Sequence, residues 1–340
     1  MKRYGWGIGI LAIVCLGAWY EPTGSVRGYL RGEPFFASRS TSHWERLLAS
    51  DDPAQSDAAL AALSDGGAAA SAVLCALTRR LSAPPEVRWN SAELLGKAGI
   101  QSAEVSETLL AALRDPDPHV RTVAADAVPK VQTDVAQAVP ALTQLLDSQH
   151  DVPIIRALSV YREQAQPALP RLRELMNDRS LPSEVRWNAA RTIGKMGAAG
   201  AAAVPALIPL MKDEEPTVRE HAAEAAGDIG PAAESAVPAL LETLTDSFHK
   251  ARRDAVRSLG QIGGDTARSA VPEIEKMLSD PEEIVRVAAR KTLEQLTGKA
   301  PAEPAGPAKP MEPAKPMEPA KPMEPAKPTD SAPPAEPAQP

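Results

Sequence analysis

The sequence predicts an all-α array of stacked helix pairs. Three observations lead there: a phrase that recurs at a fixed period, apolar residues spaced for one face of a helix, and few aromatic residues. "VRWNSAELLGKAG" at 87–99 returns as "VRWNAARTIGKMG" at 185–197. Aligned on the arginine, Arg88, Arg121, Arg156, Arg186, Arg219, Arg252 and Arg286 follow at steps of 33, 35, 30, 33, 33 and 34 residues. Self-similarity at such a period marks a repeat architecture, each copy one supersecondary unit. "DDPAQSDAALAAL" at 51–63 keeps the turn and the apolar pattern without the arginine, so eight units fill roughly residues 41–298. Only 4 % of residues are aromatic, which suits units that each bury a thin, alanine-rich face on their neighbours.

The chain opens with Lys2 and Arg3, followed by residues 5–20 without a charge. At ~1.5 Å per residue those reach about 24 Å, a little short of a bilayer's hydrocarbon core. Residues 1–22 therefore read as a signal anchor or as a cleaved signal peptide. Tyr4 and Trp6 at one end and Trp19 and Tyr20 at the other resemble interfacial belts and favour the anchor. "CLG" at 15–17 is a poor cleavage site. With Lys2 and Arg3 held inside, the anchor reading gives a single-pass cell-membrane protein with its repeats exported, and cleavage would give a secreted one. Arg27 and Arg31 on the far side weigh against that orientation. Residues 23–40 read as a linker.

Within each unit two helices are expected. In the second, Val185, Ala189, Ile193 and Met196 form one apolar stripe. Gly197 relieves a left-handed cap, and Gly194, near the end, lets the neighbouring helix approach. The first helix opens with a recurrent proline (Pro205, Pro238, Pro272), suited to a first turn where its missing N–H has no partner. Asp115, Asp213, Asp246 and Asp280 each lie six residues before the arginine, so Asp–Arg pairs within or between units are expected to stitch turn to helix. The two central units depart most, with Pro129 in place of a glycine and Tyr161 in "RALSVYREQ". Beyond Gly298 the chain changes character. From Pro301 to Pro328 every third residue is proline, and "MEPAKP" repeats from Met311. That period matches polyproline II geometry, so 299–340 reads as a disordered, extended tail.

The "VRxxAAxxLGxIG" helix with an aspartate turn before it resembles HEAT repeats, in particular the short HEAT-like kind of phycobilisome lyases. Neither the ankyrin "TPLH" turn nor an aromatic-rich tetratricopeptide pattern is present. The resemblance implies an α-solenoid. It also raises two enzymes. A HEAT-like hydroxylase of deoxyhypusine carries paired His-Glu motifs for iron, but here the match is reversed, Glu220-His221, and occurs once. Bilin-lyase activity would follow from the family name alone.

The residues themselves point away from chemistry. The five histidines form no HxxxH or HExxH pattern and the two cysteines no CxxC, so no catalytic, cofactor or metal site is expected. Cys75 reads as a small core residue. A net charge of −7 and a pI near 5.4 argue against a nucleic-acid partner.

A candidate protein-binding face lies opposite the core stripe, on residues expected to face solvent: Trp89, Glu93, Lys97; Thr122, Asp126, Lys130; Trp187, Arg191, Lys195; Glu220, Glu224, Asp228; Arg253, Arg257, Gln261. Two tryptophans share one register, and tryptophan is enriched in hot spots. The expectation is a monomeric, non-catalytic scaffold for protein partners, with Trp89, Trp187, Arg191, Lys195, Glu220, Glu224, Arg253 and Arg257 as its candidate contacts. A small-ligand accessory or lyase-like protein and a passive envelope spacer are the alternatives.

Overall fold

A computed structural model describes residues 25–146 and 152–299. The apolar segment 5–20, Cys15 and the proline-rich residues 301–340 lie outside the described residues.

Helix α1 (Ser25–Leu30) and an antiparallel hairpin, β1 (Phe35–Phe36) with β2 (Arg39–Ser40), come first. The eight expected units follow as helix pairs: α2 (Thr41–Leu48) with α3 (Pro53–Gly66), α4 (Ser71–Arg79) with α5 (Pro85–Ala98), α6 (Ala103–Ala112) with α7 (Pro118–Ala127) and α8 (Val135–Leu146) with α9 (Val152–Val160). Then come α10 (Leu169–Asn177) with α11 (Ser183–Lys195), α12 (Val204–Leu210) with α13 (Pro216–Ile229), α14 (Val237–Thr243) with α15 (His249–Ile262), a short bridging α16 (Gly264–Arg268), and α17 (Val271–Lys276) with α18 (Glu283–Thr297). Each second helix packs on the next, from α5 through α7, α9, α11, α13 and α15 to α18. This is an α-solenoid.

The core repeats as the sequence does. Val87, Val120, Ile155, Val185, Val218 and Val285 of the second helices are buried, as are Leu109, Leu142, Leu172, Leu207, Leu240 and Ile274 of the first. Cys75 is buried among them, and burial pushes its thiol up. Pro170, Pro205, Pro238 and Pro272 sit in first turns, whereas Pro140 falls inside α8. Gly194 does what its place implies: a Cβ there would stand 2.7 Å from the Ala225 Cα of α13. The run Pro53–Arg79 is long and apolar enough to cross a membrane by length and composition. It breaks at Gly67 (φ +47°), however, and its Leu63, Leu74 and Leu77 face the core.

Residues 25–40 are not the linker expected of them; they close the first end of the array. Trp44 is 1 % exposed, donates its indole N–H to the Phe36 carbonyl at 3.2 Å and packs on the Phe36 ring. Glu33 accepts from the backbone and hydroxyl of Ser42 and lies 3.5 Å from Arg80. Burial alone would raise its carboxyl, but these partners hold it below the usual range. A terminal unit needs such a cover, because its outer face has no neighbour.

Candidate interaction face

The arginine–aspartate motif settles into a ladder that runs between units. Arg88 forks onto Asp115 with two 2.8 Å bonds, and Arg252 does the same to Asp280. Arg186 pairs with Asp213 and Arg219 with Asp246. Each carboxylate comes from the turn of the following unit. The same turn's own arginine instead donates to the aspartate's carbonyl, as Arg121 does to Asp115, Arg219 to Asp213, Arg252 to Asp246 and Arg286 to Asp280. Asp213, Asp246 and Asp280 also accept the N–H two residues on. Burial pushes these three carboxyls up, but the guanidinium and backbone donors more than offset it and hold them below the ordinary range. The arginines are therefore spent on structure. Arg156 stands apart: its Nε donates to Asn188 at 3.1 Å and its head lies 3.7 Å from Glu184.

The face opposite the stripe is more occupied than expected. Glu220 is only 8 % exposed and lies 3.2 Å from Arg253. Trp89 and Trp187 are half-buried against the core, as are Arg191, Glu224 and Arg253 at its edge, while Lys195 and Arg257 are exposed. The physical reason is the spacing of the second helices. Small residues such as Gly194 draw them so close that positions flanking the outward direction lie between helices.

Each tryptophan reaches a histidine in the next unit. Trp89 meets His119 edge-on, with ring centroids 5.1 Å apart, and Trp187 stacks on His221 at 4.5 Å. The Arg156 guanidinium lies 5.9 Å from the Trp187 ring. His221 Nδ1 is 2.7 Å from Glu224 Oε2, and that bond above all lowers the Glu224 carboxyl against the effect of burial. Glu220 and His221 thus have structural partners. Further along, buried Asp254 accepts from both Arg253 and Arg257. Burial and the nearby Glu224 raise Asp228, and burial with Arg191 lowers Lys195. Glu93–Lys97 and Asp126–Lys130 neutralise each other along their own helices.

Two grooves stay open along this row: one of about 300 Å³ is lined by Lys130, Arg156, Arg191 and Lys195, among others, and a larger one lies toward the last unit. A groove of about 440 Å³ between α15 and α18 is lined by Arg253, Arg257, Ile284, Val287, Lys291 and Gln295, among others. Ile284 and Val287 are 42 % and 51 % exposed. The candidate face expected from the sequence ends at Gln261 and includes no residue of α18. Its signal was "EIVRV", where two apolar residues fall off the stripe marked by Val285.

The model of HEAT repeats matches residues 71–162, 169–260 and 237–305. No curated protein matches the chain. Among solved structures, Escherichia coli YibA is 18 % identical, covers 74 % of this chain and 92 % of its own, and superposes with a TM-score of 0.50. Kap95p, solved bound to RanGDP, is 16 % identical over 75 % of this chain and 39 % of its own, at 0.51. The CpcE–CpcF complex of phycocyanin lyase from Nostoc sp. is 24 % identical over 47 % of this chain and 99 % of its own, at 0.39. With eight stacked helix pairs, an arginine–aspartate ladder between them and a family model matching most of the array, the chain belongs to the HEAT-repeat family.

Proposed function

We propose that the chain is a non-catalytic scaffold, tethered to the cell membrane through residues 5–20 with its repeats on the exported side, that holds a partner protein on the row of second helices. HEAT repeats generally mediate protein–protein interaction. The observation that favours this face is the α15–α18 groove, where Ile284 and Val287 lie beside Arg257 and Lys291. Apolar side chains at an open groove favour association at roughly 25 cal/mol per Å² covered. Rim cations then steer an acidic partner into register and raise its on-rate more than its affinity. Affinity capture with the tagged full chain from detergent-solubilised membranes tests this. Wild type and the outer-face variant Lys276→Glu should retain the same protein, and Val287→Asp should lose it. Equal retention by all three would exclude the groove.

A further inference from the structure

Helix α1 is turned the wrong way round for a helix in water. Val26, Tyr29 and Leu30, at i, i+3 and i+4, share one face and are 41 %, 79 % and 76 % exposed. Gly28, on the opposite side, is buried, and a Cβ there would collide with Ser40 of β2. The helix presses its smallest residue onto the protein and holds its largest apolar side chains outward. Phe35, 36 % exposed, lies beside it. Half of the large apolar side chains exposed among the described residues fall between Val26 and Phe35. A patch of this kind at one end of a protein marks a surface that something covers.

The chain itself indicates what. Tyr20, the last residue of the uncharged segment 5–20, is five peptide links before Ser25. Those links span about 18 Å at most, so α1 begins within that reach of the bilayer's hydrocarbon edge if that segment lies in a bilayer. Arg31 follows the patch, with its side chain 62 % exposed. Apolar side chains beside a cation are the composition of a segment that lies in the headgroup layer. We propose that α1 is an interfacial foot: Val26, Tyr29 and Leu30 enter the headgroup layer of an anionic lipid surface, Arg31 meets the lipid phosphates, and the α1–hairpin cap fixes the first unit of the array against the membrane. This rests on the tether reading and adds to it a rigid rather than a swinging attachment.

The test uses the full chain reconstituted in phosphatidylcholine–phosphatidylglycerol vesicles. An environment-sensitive dye is placed on Tyr29→Cys, with Cys15→Ser to remove the second reactive thiol; Cys75 is buried. A second preparation carries it on Ser279→Cys in the last unit. The dye at 29 should lose most of its emission to shallow doxyl lipids and little to aqueous iodide, and the dye at 279 the reverse. A chain that resists alkaline extraction while the dye at 29 is quenched by iodide would overturn the foot and leave the tether standing. Protection from both quenchers would mean that protein, such as a second copy, covers α1, which also overturns it. A chain released by alkali would remove the tether and the foot together.

Discussion

The second helices of the last four units end on Gly197, Gly230, Gly263 and Gly298, whereas those of the two central units end on Gln132 and Arg162. All six residues take φ between +51° and +78°. The central units thus keep a positive φ without the residue that adopts it freely, and Gln132 is left-handed (ψ +43°) where Gly230 and Gly263 take ψ of −144° and −153°. The second central unit differs in pairing as well. Arg186, Arg219 and Arg252 each reach an aspartate of the next unit, while Arg156 rests, largely exposed, beside Asn188 and Glu184. The array demands a turn and the helix spacing everywhere; the buried ion pair is an addition that some junctions carry and one replaces with a wetter contact.

The sharpest way to break this contrast is at Asp213. Its pair with Arg186 has side chains 3 % and 7 % exposed, so Asp213→Ala strands a buried guanidinium. The expected loss is about 3–5 kcal/mol in a denaturant melt. Trp187→Ala should come next, at about 2 kcal/mol, because a half-buried ring and its stack on His221 are lost together. A fully wet tryptophan would have cost little. Arg156→Ala should remove at most about 1 kcal/mol, as exposed pairs do. Arg162→Gly should act in the opposite direction and stabilise by about 0.5–1 kcal/mol, since glycine relieves the left-handed strain at some cost in chain entropy. A destabilising result would mean that the Arg162 side chain holds this junction.

Acid should distinguish the two regions too. The carboxyls of Asp213, Asp246 and Asp280 titrate lower in the folded chain than when unfolded. Their contribution is therefore complete above the unfolded value of about 4 and is lost as pH falls from there through the folded values. Below about pH 4 the last units should open, and an Asp213→Asn chain, already lacking one such pair, should show a shallower dependence.

Much of this was legible in the sequence. Period, stripe and terminal glycines gave the eight units, because a one-dimensional array repeats its packing problem and so its residues. The motif alone fits pairs between units or within them, yet one copy contains the answer: Arg88 has no aspartate six residues upstream, but Asp115 lies 27 residues downstream. The face is less legible. Counting around a single helix puts Glu220 and Trp187 in water, and only the approach of neighbouring helices covers them. Neither the His119 and His221 partners nor the α1 cap has a periodic signal, since each occurs at a different register or once.

A photo-crosslinking residue at position 287, in the full chain expressed in the source cells, tests the scaffold claim most directly. Val287 is half exposed on the groove, and position 276 on α17 serves as the outer-face control. The account predicts one discrete protein adduct at 287 that is absent at 276. Adducts at neither position, or the same adducts at both, would contradict it.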